Sequence, residues 1–152
     1  MKTFTFLIMF VISNLAVASD QEVECLALNI YHEARGEGIE GWLAVAFVTV
    51  NRKYSERFPD SICEVVYDSY QFSWTHDNIP DDPILEKYAD RKAWEYIQWF
   101  AEGFFENYEN IVDPTEGSLY YHTHQVAPYW KNHFTEVATI GNHIFYTEVD
   151  ND

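Results

Sequence analysis

The segment Tyr31-His32-Glu33-Ala34-Arg35-Gly36-Glu37 concentrates the side chains with most capacity for chemistry. Glu33 falls three residues after Ile30 and seven after Leu26. On a helix it therefore continues an apolar stripe rather than the solvent face. Burial disfavours a charged carboxyl and raises its pKa, and the negative end of the helix dipole acts in the same direction. Both effects favour a proton on Glu33 at neutral pH, the state in which a general acid can protonate a glycosidic oxygen. The competing reading of this position is an ordinary helix-end glutamate paired with Arg35.

Glu37 is the obvious second carboxylate. A retaining glycosidase holds its two carboxyl groups about 5–5.5 Å apart. Gly36 is expected to break the helix between the two, which leaves Glu37 as either a site-lining or a structural residue. His32-Glu33 does not open a zinc motif, because H-E-x-x-H requires a second histidine where Gly36 stands. His122 and His124 would share one face of a strand and could meet His133 or His143 around a metal. Nothing in the pattern demands one, and no metal or other cofactor is expected.

The elements that must position these groups follow from periodicity. Val23, Leu26, Ala27, Ile30 and Ala34 predict a helix over Glu22 to Arg35, with Gly36 as a left-handed C-cap. Glu40 to Tyr54 is apolar nearly all round and long enough to be helical. Ser61-Ile62-Cys63-Glu64 has the capping-box form and predicts a short helix to about Tyr67. Asp82-Pro83 predicts the start of a long helix reaching about Asn107. Leu85, Tyr88, Ala89, Tyr96, Ile97, Phe100 and Phe104 are its expected apolar face. Ser118 to Thr123 is β-like, and Gly141-Asn142 predicts a hairpin between Thr135–Ile140 and His143–Glu148. The fold class is α+β: a mainly helical lobe with a small antiparallel sheet near the C-terminus.

Lys2, the apolar run Phe4 to Ile12, and Ala16-Val17-Ala18 have the form of a cleavable secretory signal over residues 1–18. The run is short for a membrane span; an uncleaved anchor is the alternative, and membrane contact is otherwise transient. The rest, residues 22–148, reads as one domain within the 152-residue chain. The net charge is -16, and loss of Lys2 with the leader takes it from -16 to -17. Such a chain gains no counterion release on nucleic acid, which excludes that partner class. The 11 Tyr, 11 Phe and 5 Trp are ample for a core and also suit a cleft for sugar rings. In an exported chain Cys25 and Cys63 are expected to form a disulfide between the first helix and a later one. Two buried free thiols are the alternative.

Several ordered blocks carry a resemblance. Cys25-Leu-Ala-Leu-Asn-Ile-Tyr31-His-Glu33-Ala-Arg-Gly-Glu37 is followed by Gly41-Trp-Leu-Ala-Val-Ala46 and Val50-Asn51-Arg52. Then come Phe58-Pro59, Ile62-Cys63-Glu64-Val65-Val66-Tyr67 and Gln71-Phe72-Ser73-Trp74. Tyr121-His122-Thr123, Val126, Pro128, Trp130 and Ile140-Gly141-Asn142-His143-Ile144-Phe145-Tyr146 complete the set. Together they resemble the SleB/CwlJ cell-wall hydrolase domain over about Cys25 to Tyr146. The stretch Asn78 to Asn110 matches weakly, and His32 departs from the bulky apolar residue or glycine frequent in the family.

The resemblance implies a lysozyme-like helical lobe beside a small sheet, with peptidoglycan glycan strands as partner. It implies lytic transglycosylation at the MurNAc-β-1,4-GlcNAc bond, with Glu33 as the catalytic acid and 1,6-anhydro ends as product; attack by water instead would make the enzyme a muramidase. Glu37, Gln71, Ser73, Tyr121, His122 and Trp130 are the expected substrate-binding residues. Arg52 is expected to pair with an acid of the fold. An N-acetylmuramoyl-L-alanine amidase and a non-catalytic wall-binding protein are the rival readings. The expected protein is an exported monomer of the periplasm or exterior.

Overall fold

In the computed structural model the backbone is described for residues 4–148 and side chains for residues 19–148. The expected leader over residues 1–18 falls outside the residues whose side chains are described. Helix α1 spans Phe4–Ala34, so it begins well before the expected Glu22. No glycine or proline interrupts that stretch, and Ser19-Asp20 does not act as a start signal within it. Residues 35–37 form a turn, with the Glu37 N–H donating to the Ala34 carbonyl at 2.9 Å. The left-handed residue here is Gly38 (φ +71), not Gly36.

Helix α2, Gly38–Tyr54, is buried along most of its length, as its apolar sequence requires. Helix α3, Ile62–Val66, starts at Ser61, whose hydroxyl oxygen accepts from the Glu64 N–H at 3.2 Å. The Ser61 hydroxyl in turn donates to the Glu64 carboxylate at 2.9 Å. Glu22 adds a second cap from α1, its carboxylate accepting from the Ile62 N–H at 2.6 Å. Cys25 and Cys63 are joined, which ties α1 to α3 with Cα atoms 5.2 Å apart and resolves the pairing question in favour of the disulfide.

Helix α4, Tyr88–Asn107, starts five residues later than Asp82-Pro83 suggested. The reason is tertiary. The Asp81 carbonyl is 2.8 Å from His32 Nε2, and the Ile84 carbonyl accepts from the Tyr31 hydroxyl at 3.4 Å. Arg91 takes the Leu85 and Glu86 carbonyls, both at 2.9 Å. These contacts engage carbonyls that a helical start would have used. The buried face is also different: Trp94, Ile97, Ala101 and Phe104 pack inward while Tyr88 and Tyr96 are exposed.

The main core lies between α1, α2, α3 and α4, with Leu26, Ile30, Val45, Ile62, Val66 and Ile97 fully or almost fully buried. Each such burial contributes about 1.5–3 kcal/mol relative to exposure. Strands β1 (Tyr120–Thr123), β2 (Phe134–Ile140) and β3 (His143–Glu148) form one antiparallel sheet in the order β1-β3-β2. The expected hairpin is present, with Ile140 opposite His143 and an irregularity between Glu136 and Ala138. Only Gly141 of the turn pair has a positive φ, +58, which rules out a type I′ turn. Phe145 packs under the sheet on Ala44 and Val48 of α2. At the end of α2, Asn51 donates to Asp113 at 2.9 Å and to the Ser118 carbonyl at 3.2 Å. Arg52 Nε donates to the Leu119 carbonyl at 2.8 Å. Helix α2 thereby carries β1, and β1 faces the end of α1.

Candidate active site

Glu33 sits in the last turn of α1, one turn beyond the buried Ile30. Its Oε2 accepts a hydrogen bond of 2.9 Å from the Tyr121 hydroxyl of β1, so the helical lobe and the sheet meet at this carboxyl. Burial raises the Glu33 pKa above the usual carboxyl value; the Tyr121 bond, then His143, Arg52 and His32, oppose the rise without cancelling it. Tyr121 is itself pushed well above an ordinary phenol, first by burial and then by the neighbouring Glu33. It therefore keeps its proton and remains a donor. Arg35 does not pair with Glu33; its guanidinium lies over the Tyr31 ring, 5.0 Å from the centroid.

A cleft of about 420 Å³ opens over this pair. It brings together five of the residues singled out by sequence: Glu33, Gln71, Ser73, Tyr121 and His122. Gln71 precedes, and Ser73 begins, a 3₁₀ turn over Ser73–His76. Phe72 and Trp74 of this segment are buried, and Trp74 donates to Asn29 of α1 at 3.3 Å. The alternation of buried and outward residues points Gln71 and Ser73 toward the cleft. His122 lines the wall but is internally engaged. Its Nδ1 is 2.8 Å from the Thr123 carbonyl, which can only accept, so in the neutral ring Nε2 accepts from the Tyr146 hydroxyl at 3.0 Å.

Two expected members lie elsewhere. Trp130 is in an adjoining cavity, its ring edge-on to Phe134 and Tyr146 at 5.8 and 5.7 Å. Glu37 lies outside this cleft; it lines a second, shallower depression that it shares with Glu33, and it is bound to the hairpin. Its Oε2 accepts from the Asn142 N–H at 3.2 Å, and its Oε1 lies 3.1 Å from Nδ1 of the buried His143. A Cβ at Gly141 would overlap Glu37 Oε2, and one at Gly41 would overlap the Glu37 Cβ. Two glycines therefore form the socket for this carboxylate. The His143 ring meets Tyr121 edge-on at 4.9 Å, which links the Glu37 clamp to the partner of Glu33. His32 stacks on Trp74 at 4.3 Å and anchors the segment before α4.

Arg52 departs from expectation. Among the described residues no carboxylate lies within ion-pair distance of it, and its Nη1 is buried without a hydrogen-bond partner. Its guanidinium is 5.2 and 5.0 Å from the Phe58 and Phe72 ring centroids, and burial lowers its pKa. Arg52 falls four residues after Val48 and seven after Val45. The stripe rule that singled out Glu33 thus also marks this cation as inward-facing. Tyr70, another cleft residue, carried no such signal. Among the described residues no group of three or more His, Cys, Asp or Glu is placed to hold a metal; His122 and His143, considered for that role, bond within the fold.

A cleft between a helical lobe and a small sheet, with one buried protonatable carboxyl in its wall, is an arrangement suited to acid catalysis on a glycan. The sequence profile of the Cell Wall Hydrolase family matches residues 36–146, and the chain belongs to that family. It is similar to the spore cortex-lytic enzyme of Bacillus subtilis (strain 168), with 31% identity over 128 residues, 84% of this chain and 38% of that protein. The enzyme of the same description from Oceanobacillus iheyensis is 32% identical over 128 residues, 84% of this chain and 42% of that protein. The chain thus spans well under half the length of these curated relatives. Among solved structures, the catalytic domain of the germination-specific lytic transglycosylase SleB from Bacillus anthracis superposes with a TM-score of 0.60 at 28% identity, covering 83% of this chain and 93% of that one. The catalytic domain of the Bacillus cereus SleB protein gives 0.58 at 27% identity, covering 83% and 89%. The α+β architecture of this chain is that of these domains.

Proposed function

We propose that this protein cleaves peptidoglycan glycan strands at the MurNAc-β-1,4-GlcNAc bond by lytic transglycosylation, with Glu33 as acid and then base. The observation that carries this reading is the carboxylate inventory of the cleft. Glu33 is the one Asp or Glu among its described lining residues. Glu37 is occupied by Asn142 and His143. Glycosidases that use water directly or a covalent intermediate generally need a second carboxylate as base or nucleophile. A substrate that supplies its own nucleophile does not. Family membership, and relatives described as lytic enzymes and transglycosylases, support the same chemistry.

Protonated Glu33 donates its proton to the glycosidic oxygen as the bond from that oxygen to MurNAc C1 breaks. The GlcNAc hydroxyl leaves, and C1 takes on oxocarbenium character. The Glu33 carboxylate, held by the Tyr121 hydroxyl, then accepts the proton of the MurNAc C6 hydroxyl. O6 bonds to C1, the 1,6-anhydro ring closes, and Glu33 ends protonated as it began. Gln71 and Ser73 offer hydrogen bonds to sugar hydroxyls and acetamides, while His122 shapes the wall. Residues 22–148 form the catalytic domain. Residues 1–18 direct export to the periplasm or exterior, where the Cys25–Cys63 disulfide is at home; the protein acts as a monomer.

A zymogram on purified sacculi tests the role of Glu33. The wild type clears the gel, and Glu33→Gln loses about a hundred- to ten-thousand-fold of the rate, the range for a general acid–base group. Clearing by a folded Glu33→Gln at the wild-type rate refutes the assignment.

A further inference from the structure

We propose that the aromatic pocket beside the Glu33 cleft binds the carboxylate-bearing peptide branch of the muramyl residue, with Arg52 as its counter-ion. The inference rests on the glycan-cleaving reading above and extends it to the substituent that the substrate carries. Arg52, Tyr70, Gln71 and Tyr121 line both cavities, so the cleft forks at Arg52 and at Tyr121, the hydrogen-bond partner of Glu33. The second arm, of about 350 Å³, is walled by Tyr129, Trp130 and Phe134.

Charge selects the occupant. The chain holds 25 Asp and Glu against 9 Lys and Arg, yet none of the described residues lining this arm is acidic. Arg52 is only 4% exposed and carries no ion pair among the described residues, and its Nη1 makes no hydrogen bond. Glu33 and Asp68 act on this cation without forming an ion pair, and Glu33 is the carboxyl that the reaction needs protonated. A buried cation without a close ionised partner is costly, and a fold with so many carboxylates could have supplied one. The missing partner of matching charge is a carboxylate from outside, for which the guanidinium fork is well shaped. The sugar rings carry no such group. The lactyl ether of the muramyl residue does lead to one, through a peptide with acidic side chains and a free C-terminus.

The rim of the fork supports the same occupant. Tyr70 has φ +65, a left-handed conformation rare for an aromatic residue, and its ring is 93% exposed. Its N–H donates to His76 Nε2 at 3.3 Å. Tyr129 of the second arm is 85% exposed. Two outward rings at the fork give a branch apolar surface on which to lie while its carboxylate reaches Arg52.

The test compares kcat/KM of the mature chain on soluble glycan strands that bear stem peptides, on the same strands with stem carboxylates amidated, and on strands stripped of stems. The expected wild-type preference for the acidic, stem-bearing strands is about tenfold or more, carried mainly by KM. Amidation removes the preference. Arg52→Gln brings the stem-bearing to stem-free ratio close to one, Arg52→Lys retains part of it, and the exposed Tyr129→Ala lowers it. Equal wild-type rates on all three strands overturn the proposal, as does a ratio that survives Arg52→Gln in a variant with native circular dichroism. If Arg52→Gln does not fold, amidation and Tyr129→Ala decide. A failure of the underlying reading looks different: Glu33→Gln would then cleave either kind of strand at the wild-type rate.

Discussion

The socket of Glu37 makes a quantitative prediction about two positions more than a hundred residues apart in sequence. In Gly141→Ala the new Cβ would overlap Glu37 Oε2, and alanine would also have to adopt φ +58. The left-handed conformation costs about 1–2 kcal/mol for a residue with a Cβ. Expelling the carboxylate removes its bond from the Asn142 N–H and its contact with the buried His143; hydrogen bonds to charged groups contribute about 1.5–3 kcal/mol. The sum is about 2.5–5 kcal/mol, a large part of the about 5–15 kcal/mol of an ordinary domain. Glu37→Ala loses only the clamp, about 1.5–3 kcal/mol. In the double variant there is no carboxylate left to expel, so it should be only about 1–2 kcal/mol less stable than Glu37→Ala. Urea unfolding of the oxidised protein at neutral pH, followed by tryptophan fluorescence, measures all four corners of the cycle. A double variant destabilised by the full sum of the two single changes would refute the socket, as would a Gly141→Ala that costs only the backbone strain.

Four further outcomes follow from the same geometry. Tyr121→Phe removes the hydrogen bond that lowers the Glu33 pKa, so the alkaline limb of the pH–rate profile on sacculi should move to higher pH; a limb that stays or moves down contradicts the assigned donor. The Glu33 pKa is raised in the folded state. Its contribution to stability is then full below the unfolded carboxyl value and is lost as pH rises through the folded one. Glu33→Gln, with no charge to bury, should gain stability relative to wild type from acid to neutral pH, read from urea midpoints. Reducing Cys25–Cys63, 38 residues apart, should remove about 4 kcal/mol by the loop-entropy relation, measured by unfolding with and without reductant. Trp94→Ala should cost about 3–5 kcal/mol while the exposed Tyr96→Ala stays within about 0.5 kcal/mol, because the buried face of α4 contains Trp94.

Local signals carried much of the architecture. The three- and four-residue apolar spacing placed Glu33 on the inward stripe of α1, the Ser61 capping box marked α3, and Gly141-Asn142 marked the hairpin. What the sequence did not reveal depends on distant partners. The start of α4 shifts because His32 and Tyr31, 49 and 53 residues earlier, take the Asp81 and Ile84 carbonyls, while Arg91 of α4 itself takes those of Leu85 and Glu86. Its buried face was misjudged because Tyr88 and Tyr96 are apolar enough to fit a stripe but lie outside the surface that α1 covers. At the site, the inward direction of Glu33 was legible, whereas its partner Tyr121 comes from a strand 88 residues away. Glu37 looked equally able to line a cleft or hold the fold until the hairpin supplied its donors. Arg52 was expected to pair with an acid of the fold; its place on an apolar stripe went unread, and the lack of an ion pair around it is a property of the packed structure alone.

The central claim is that Glu33 cleaves the glycan with the substrate's own C6 hydroxyl as nucleophile. Digestion of purified sacculi in water labelled with heavy oxygen, followed by mass spectrometry of the released muropeptides, tests it most directly. The expected products are 1,6-anhydro-MurNAc ends that contain no label, and Glu33→Gln should release none. Reducing MurNAc ends carrying the heavy oxygen would contradict the account by making water the nucleophile, and free stem peptides on uncut strands would move the reaction to the amide bond.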